Sequence, residues 1–233
     1  MRVTDPIGGP PDFEQFFRDY EHFRGLMDYS FPLSHLIARY SRGDPVEELR
    51  REFPELARKI VLSDRSALAR FPDGGHIFEH HGQVLENFRD ALVTLSLGLC
   101  LRASKEDVAD ILSLCERGDS LLETIAGSAL GLRMPIEGPA FYNTYDCLYD
   151  ALDADGPGRE RLIREYLDVW YRVKMDGLLM KDKHLVKGRP DYVGYWCFEA
   201  AGVVASLNID DKTFADHPHY PRDLVAFYRA SGG

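Results

Sequence analysis

The run from Tyr192 to Leu207 constrains this chain more than any other stretch. It is apolar at nearly every position and carries one carboxylate, Glu199, near its middle. A helix that is apolar all round must be covered on most of its faces in a soluble fold. The run is too short, and too polar at its ends, to span a bilayer, which takes about 20 apolar residues. The rest of the chain must therefore wrap it. A carboxylate inside such a helix is costly unless a donor pairs with it. Glu199 can act as a general acid or base only where a cleft reaches it. The expected role is structural: an acceptor for a buried Tyr, Trp, Arg, Lys or His, with Arg172 and His184 as candidate partners.

The remaining pattern is helical. Asp12 is placed to cap a helix carrying Phe13, Phe16, Phe17, Tyr20, Phe23 and Met27 on one face. Pro32 predicts a break, with Leu33–Tyr40 helical beyond it. Asp44-Pro45 reads as a cap followed by proline at the first helical position, opening a helix to about Arg70 that Pro54 interrupts or bends. Leu85, Phe88, Leu92, Leu95 and Leu99 recur in steps of three and four, the strongest helical signal in the chain. Ser104 and Asp107 resemble a capping box ahead of Val108, Ile111, Leu112 and Cys115. Leu121–Leu132 is a short helix ended by Gly131 and Pro135. Phe141–Leu152 is amphipathic and closed by Asp155-Gly156-Pro157-Gly158. Leu162, Ile163, Tyr166, Val169, Trp170 and Val173 form a further face, and a last helix is expected to begin at Trp196.

No period-two alternation bounded by hairpin turns appears. The fold class is therefore all-α, a multi-helix bundle forming one compact unit with N-terminal and C-terminal helical halves. Residues 1–11, rich in Pro and Gly, form an irregular lead-in. The expected halves are 12–135 and 136–233.

The chain has 233 residues, 45% of them hydrophobic, which is enough for a sizeable core. Its 28 Lys and Arg against 38 Asp and Glu leave a net charge of −10. That argues against direct nucleic-acid binding, which needs clustered cations. It suits electrostatic steering toward a basic partner. Cys100, Cys115, Cys147 and Cys197 form no CxxC and are expected as buried, reduced thiols. Neither a signal peptide nor a membrane span is legible, so the expected location is the cytoplasm.

Several short patterns resemble motifs that carry chemistry. His76-Ile77-Phe78-Glu79-His80 fits H-x-x-E-H, in which two histidines one helical turn apart hold zinc and the glutamate acts as base. It lacks a defined downstream acidic ligand, and the expected reading is a polar cluster at a helix start. Asp153-Ala154-Asp155-Gly156 hints at a calcium loop. With Gly156 at the sixth position, the first and twelfth ligand positions fall on Ala151 and Leu162, which cannot ligate. Glu-x-x-His pairs, phosphate-binding glycine loops and a G-x-S-x-G elbow are all absent from the sequence. No catalytic, metal or cofactor residue is assigned. Asp146, Asp150 and Asp153 share a helix face, with Asp155 just beyond. They crowd the helix C-terminus, where the macrodipole disfavours acids. A solvated face is the plain reading, and a docking stripe for a cationic partner is the sharper one.

Tyr192-Val193-Gly194-Tyr195-Trp196-Cys197-Phe198-Glu199-Ala200-Ala201, then Ile209-Asp210-Asp211, then Tyr220-Pro221-Arg222-Asp223-Leu224-Val225, resembles the PoNi family. So do Trp170-Tyr171 and Lys183-His184 upstream. PoNi proteins are bacterial immunity proteins for PoNe-type polymorphic nuclease toxins. The resemblance is specific from about Phe141 to Tyr228 and softer across Phe13–Leu130. It implies an all-helical, non-catalytic protein that binds and neutralises a cognate DNase toxin, often one delivered by type VI secretion. Within it Gly194, Tyr195, Trp196 and Glu199 mark the fold and are not carried over as toxin contacts. The basic residues Lys181, Lys183, Lys187 and Arg189 depart from a simple acidic-inhibitor picture. Two other classes compete: a metal-dependent hydrolase at His76, Glu79 and His80, and a helical interaction scaffold. A homo-oligomer is compatible with the sequence.

Overall fold

A computed structural model describes residues 30–72, 75–78, 85–115, 117–176, 178, 181–185 and 192–232. The readings made for the lead-in, for the Phe13–Met27 helix, and for Glu79, His80, Lys187 and Arg189 lie outside them. The described residues form nine α-helices: α1 (Ser30–Arg42), α2 (Val46–Arg70), α3 (Leu85–Cys100), α4 (Lys105–Leu112), α5 (Ser120–Leu130), α6 (Tyr142–Asp153), α7 (Gly156–Val169), α8 (Phe198–Leu207) and α9 (Arg222–Ala230). Among the described residues there are no strands, only the isolated bridges Phe78–Cys115 and Asp119–Gly138. The all-α class is thus the observed one.

Helices α3 and α8 form the centre. The leucine steps of α3 bury Phe88, Leu92, Leu95 and Leu99, and every residue of α8 from Phe198 to Ala205 is buried. α8 packs on α3, α5 and α9, and α3 also packs on α4 and α5. Close approach of α3 and α8 depends on one glycine. A Cβ at Gly202 would lie 2.7 Å from Ser96 Cβ and 3.0 Å from Ile125 Cδ1. Gly202→Ala should therefore cost about 1–3 kcal/mol by overpacking, despite the better helix propensity of alanine. A urea midpoint equal to that of wild type would show that the two helices can separate freely.

Local corrections have local causes. Pro32 lies inside α1 near its start, where a missing N–H costs little, and breaks nothing. α2 also runs through Pro54. Pro54 and Arg50 both lie on the exposed side of the helix, where the loss of one i−4 hydrogen bond is cheapest. Asp44 does not cap α2. Pro45 occupies the cap position, and Asp44 binds Arg39 at 2.5 Å and Arg42 at 2.5 Å. Ser104 does cap α4, accepting from Asp107 N–H at 3.0 Å. Asp155-Gly156-Pro157-Gly158 opens α7 more than it closes α6: Asp155 caps the new helix through Gly158 N–H at 3.0 Å. Beyond Val169 the chain makes one π-helical turn, Trp170–Lys174. The extra residue rotates the face, so Trp170, Tyr171 and Met175 are buried while Val173 is 58% exposed. Cys100, Cys115 and Cys197 are buried free thiols, whereas Cys147 is only half-buried. Burial pushes the Cys100 thiol up to about 12, so it behaves as a packing residue.

Candidate functional site

Glu199 sits in the first turn of α8 and is 3% exposed. Its Oε1 accepts from Trp170 Nε1–H at 2.5 Å and from Tyr166 O–H at 3.3 Å. Both donors lie on the buried face that runs from α7 into the π turn. Oε2 has no hydrogen-bond partner among the described residues. The partners named from the sequence are not the ones used. Arg172 points outward and donates to the Asp168 carbonyl, and His184 Nδ1 meets Tyr195 O–H at 2.9 Å. Trp and Tyr can leave water at little cost when their single donor is matched, whereas an arginine would bring a second buried charge. The cation that Glu199 does feel is Arg89 on α3, which is buried and bonded to Asp90 at 2.9 Å. Burial, then the Glu199 charge, pushes the Tyr145 and Tyr166 phenols and the Cys197 thiol well above their usual ranges. All three stay protonated, so Tyr166 remains a donor to Glu199.

The Gly194-Tyr195-Trp196 signature is not helical. α8 begins at Phe198, and residues 192–197 form a buried strap leading into it. Ser41 on α1 clamps that strap: its hydroxyl donates to Val193 O at 2.5 Å and accepts from Trp196 Nε1–H at 2.8 Å. Gly194 lies at φ +100, and a Cβ there would approach Ser41 Oγ to 2.6 Å. The far side is tied by Cys197 N–H to His219 O at 2.9 Å. Trp196 also meets Tyr40 edge-on, with centroids 5.1 Å apart. These four signature residues are therefore interior parts. A cleft of 510 Å³ opens beside Trp196, between Tyr40 and residues 215–223, with Arg222 paired to Asp216 at 2.5 Å on its wall.

The acidic stripe on α6 is divided by its neighbours. Asp146 accepts from Lys174 Nζ at 2.7 Å. Burial works to raise its carboxyl, but Lys174 and the Cys147 N–H outweigh that and hold it below the usual range. Asp150 accepts from Tyr142 O–H at 2.7 Å, and Asp155 is spent on the cap of α7. Asp150, Asp153 and Asp155 are exposed, and Asp153 has no ion-pair partner among the described residues. The stripe thus presents Asp150 and Asp153 to solvent more than all four acids. On the basic segment, Lys181 pairs with Asp176 at 2.7 Å, and Asp182 accepts from Tyr171 O–H at 2.6 Å.

His76 does not lead a metal-binding helix. It lies in a loop, where its Nδ1 meets the buried Asp64 carboxylate at 3.0 Å, and Asp64 also takes the Ile77 N–H at 2.9 Å. No group of metal-ligating side chains occurs among the described residues. No helix among them is long and apolar enough to cross a membrane.

Two carboxylates escaped the sequence reading. Asp119, 4% exposed, accepts from Leu121 N–H at 2.9 Å, Leu122 N–H at 3.0 Å, Ala140 N–H at 2.9 Å and Tyr149 O–H at 2.6 Å. Glu123, 1% exposed, accepts from Arg117 at 2.6 Å and from Gly118 N–H at 3.1 Å. An acid directly before Ser120-Leu121-Leu122 is a cap signal, but nothing in its spacing announces the partners at Ala140 and Tyr149.

No curated protein matches this chain. Among solved structures it is similar to the crystal structure of protein PA2201 from Pseudomonas aeruginosa, at 18% identity and a TM-score of 0.69 over 95% of this chain and 88% of that one. At that identity the likeness shows the fold alone. The family model described as PoNe immunity proteins (PoNi), C-terminal, matches residues 117–224, which hold the Asp119 cap, the acidic face of α6, Glu199 and the Gly194–Trp196 strap. Residues 117–224 thus match the C-terminal model of the PoNe immunity proteins, the same family that the Tyr192–Val225 motifs resemble.

Proposed function

We propose that this chain is an immunity protein that binds and neutralises a cognate bacterial DNase toxin, in interbacterial competition linked to type VI secretion. The observation that carries this reading is the PoNi match over residues 117–224. The charge is compatible with it. A nuclease holds DNA on a basic surface, and a chain of net charge −10 gains on-rate toward such a surface. The action is stoichiometric binding rather than catalysis, in the cytoplasm where the DNA to be spared lies. Glu199, the one carboxylate of the apolar run, supports this through its burial against Trp170 and Tyr166.

Co-expression with the nuclease encoded beside this gene should restore growth to cells that the toxin alone kills. The two proteins should also co-elute as a one-to-one complex. Killing that is equally efficient with and without this chain would overturn the reading.

A further inference from the structure

Between α5 and α6 the chain doubles back along α5. Leu132 N–H bonds to Gly127 O at 2.9 Å, and Glu137 N–H bonds to Gly118 O at 2.8 Å. Five peptide steps thus undo the advance made between residues 118 and 127. At helical rise that advance is about 13 Å, and five steps reach about 17 Å at most. The return is nearly taut. Asp119 fixes its far end through Ala140 N–H, and Glu123 fixes the Gly118 turn beneath it.

What this taut segment shows to solvent is unusual for a loop. Leu132 is 61% exposed, Ile136 56% and Tyr142 45%. Met134 turns inward, toward Gly127, and Phe141 packs on Phe88 with centroids 4.8 Å apart. The N–H groups of Arg133, Met134 and Ile136 make no hydrogen bond among the described residues. Exposed Glu137 lies within the segment, and Tyr142 O–H leads to Asp150, with Asp153 one turn further on. One exposed cation, Arg133, lies between Leu132 and Ile136. Apolar side chains on a fixed backbone with Glu137, Asp150 and Asp153 at the margin match a partner face with an apolar centre and a mainly cationic rim.

Resting on the immunity reading above, we infer that the return at residues 132–142 is the edge on which the toxin docks, and that its occupant is the cationic face of the nuclease domain. Leu132 and Ile136 supply the desolvated contact. The free amides of the segment receive carbonyls from the toxin, as in strand addition. Glu137, Asp150 and Asp153 steer the approach.

The test is calorimetric titration of the full chain against the nuclease domain encoded by the neighbouring reading frame, inactivated at its own catalytic residue. The Leu132→Asp/Ile136→Asp double variant should bind roughly 30-fold or more weakly at an unchanged melting temperature. Leu62→Asp, at a 46% exposed site on α2, should bind as wild type does. Glu137→Lys/Asp153→Lys should slow association about tenfold at low salt, with the gap closing as salt rises. Should the double variant fail to melt cooperatively, Ile136→Ser in the same titration decides. Wild-type affinity in a folded Leu132/Ile136 variant would overturn the docking edge and leave the immunity reading intact. A wild-type chain that does not bind the nuclease would remove that reading, and this inference with it.

Discussion

Replacing Glu199 with alanine should lower the unfolding free energy by about 3–5 kcal/mol, one of the two largest single-site effects expected in this chain. The reason lies in what remains. Trp170 Nε1–H and Tyr166 O–H would keep their positions in the core and lose their acceptor. A buried donor without a partner costs about 1–3 kcal/mol, and the vacated volume adds to that. Arg89 would also lose one of the three carboxylates that favour its charge, keeping Asp90 and Glu86. Glu199→Gln should cost less, about 1–2 kcal/mol, because it keeps an oxygen facing Trp170 and removes a charge whose second oxygen has no hydrogen-bond partner. Urea unfolding of the three proteins checks this order. Toxin affinity should be unaltered in folded Glu199→Gln. Lost binding at a wild-type melting temperature would return Glu199 to a functional site.

Asp119→Ala should cost about 3–4 kcal/mol, and its consequence should reach the surface. One carboxylate caps α5 with Oδ1 and holds both Ala140 N–H and Tyr149 O–H with Oδ2. Losing the cap costs about 1 kcal/mol, and the two abandoned donors account for the rest. Burial, and then the Asp119 charge, raise the Tyr149 phenol well above its usual range, so it remains a donor that needs this acceptor. Asp119→Asn should lose about half as much, since it keeps the cap oxygen but presents an N–H group to two donors. Hydrogen exchange at the Ala140 amide should accelerate in both variants, and toxin binding should weaken as the 132–142 return loosens. A variant with the wild-type urea midpoint and slow exchange at Ala140 would show that the return is held by other means.

These two carboxylates were not equally legible. Glu199 stood out because one acid in an apolar run has to be explained. Asp119 sits in an ordinary Gly118-Asp119-Ser120 turn, and its importance comes from two groups more than 20 residues away in sequence. The acidic face of α6 shows the opposite failing. Three acids at helical spacing, with Asp155 just beyond, read as one stripe, yet Lys174 engages Asp146 and the α7 cap engages Asp155. Lys174, the last residue of the π turn after α7, reaches Asp146 at 2.7 Å across 28 residues of sequence.

The sequence by itself determined the helical class, the leucine-stepped α3, the need to bury the run ending at Leu207, and the PoNi resemblance. Each is local: a period, a cap or a contiguous motif. The tertiary structure decided where α8 begins, which donors meet Glu199, and which acids remain free. Residues 192–197 look as helical as α8 by hydrophobicity, but Gly194 must pass Ser41 at close range with positive φ, so the strap stays unwound until Phe198. The partners of a buried polar group are chosen by the packing of distant segments, and that choice leaves no periodic trace in the chain.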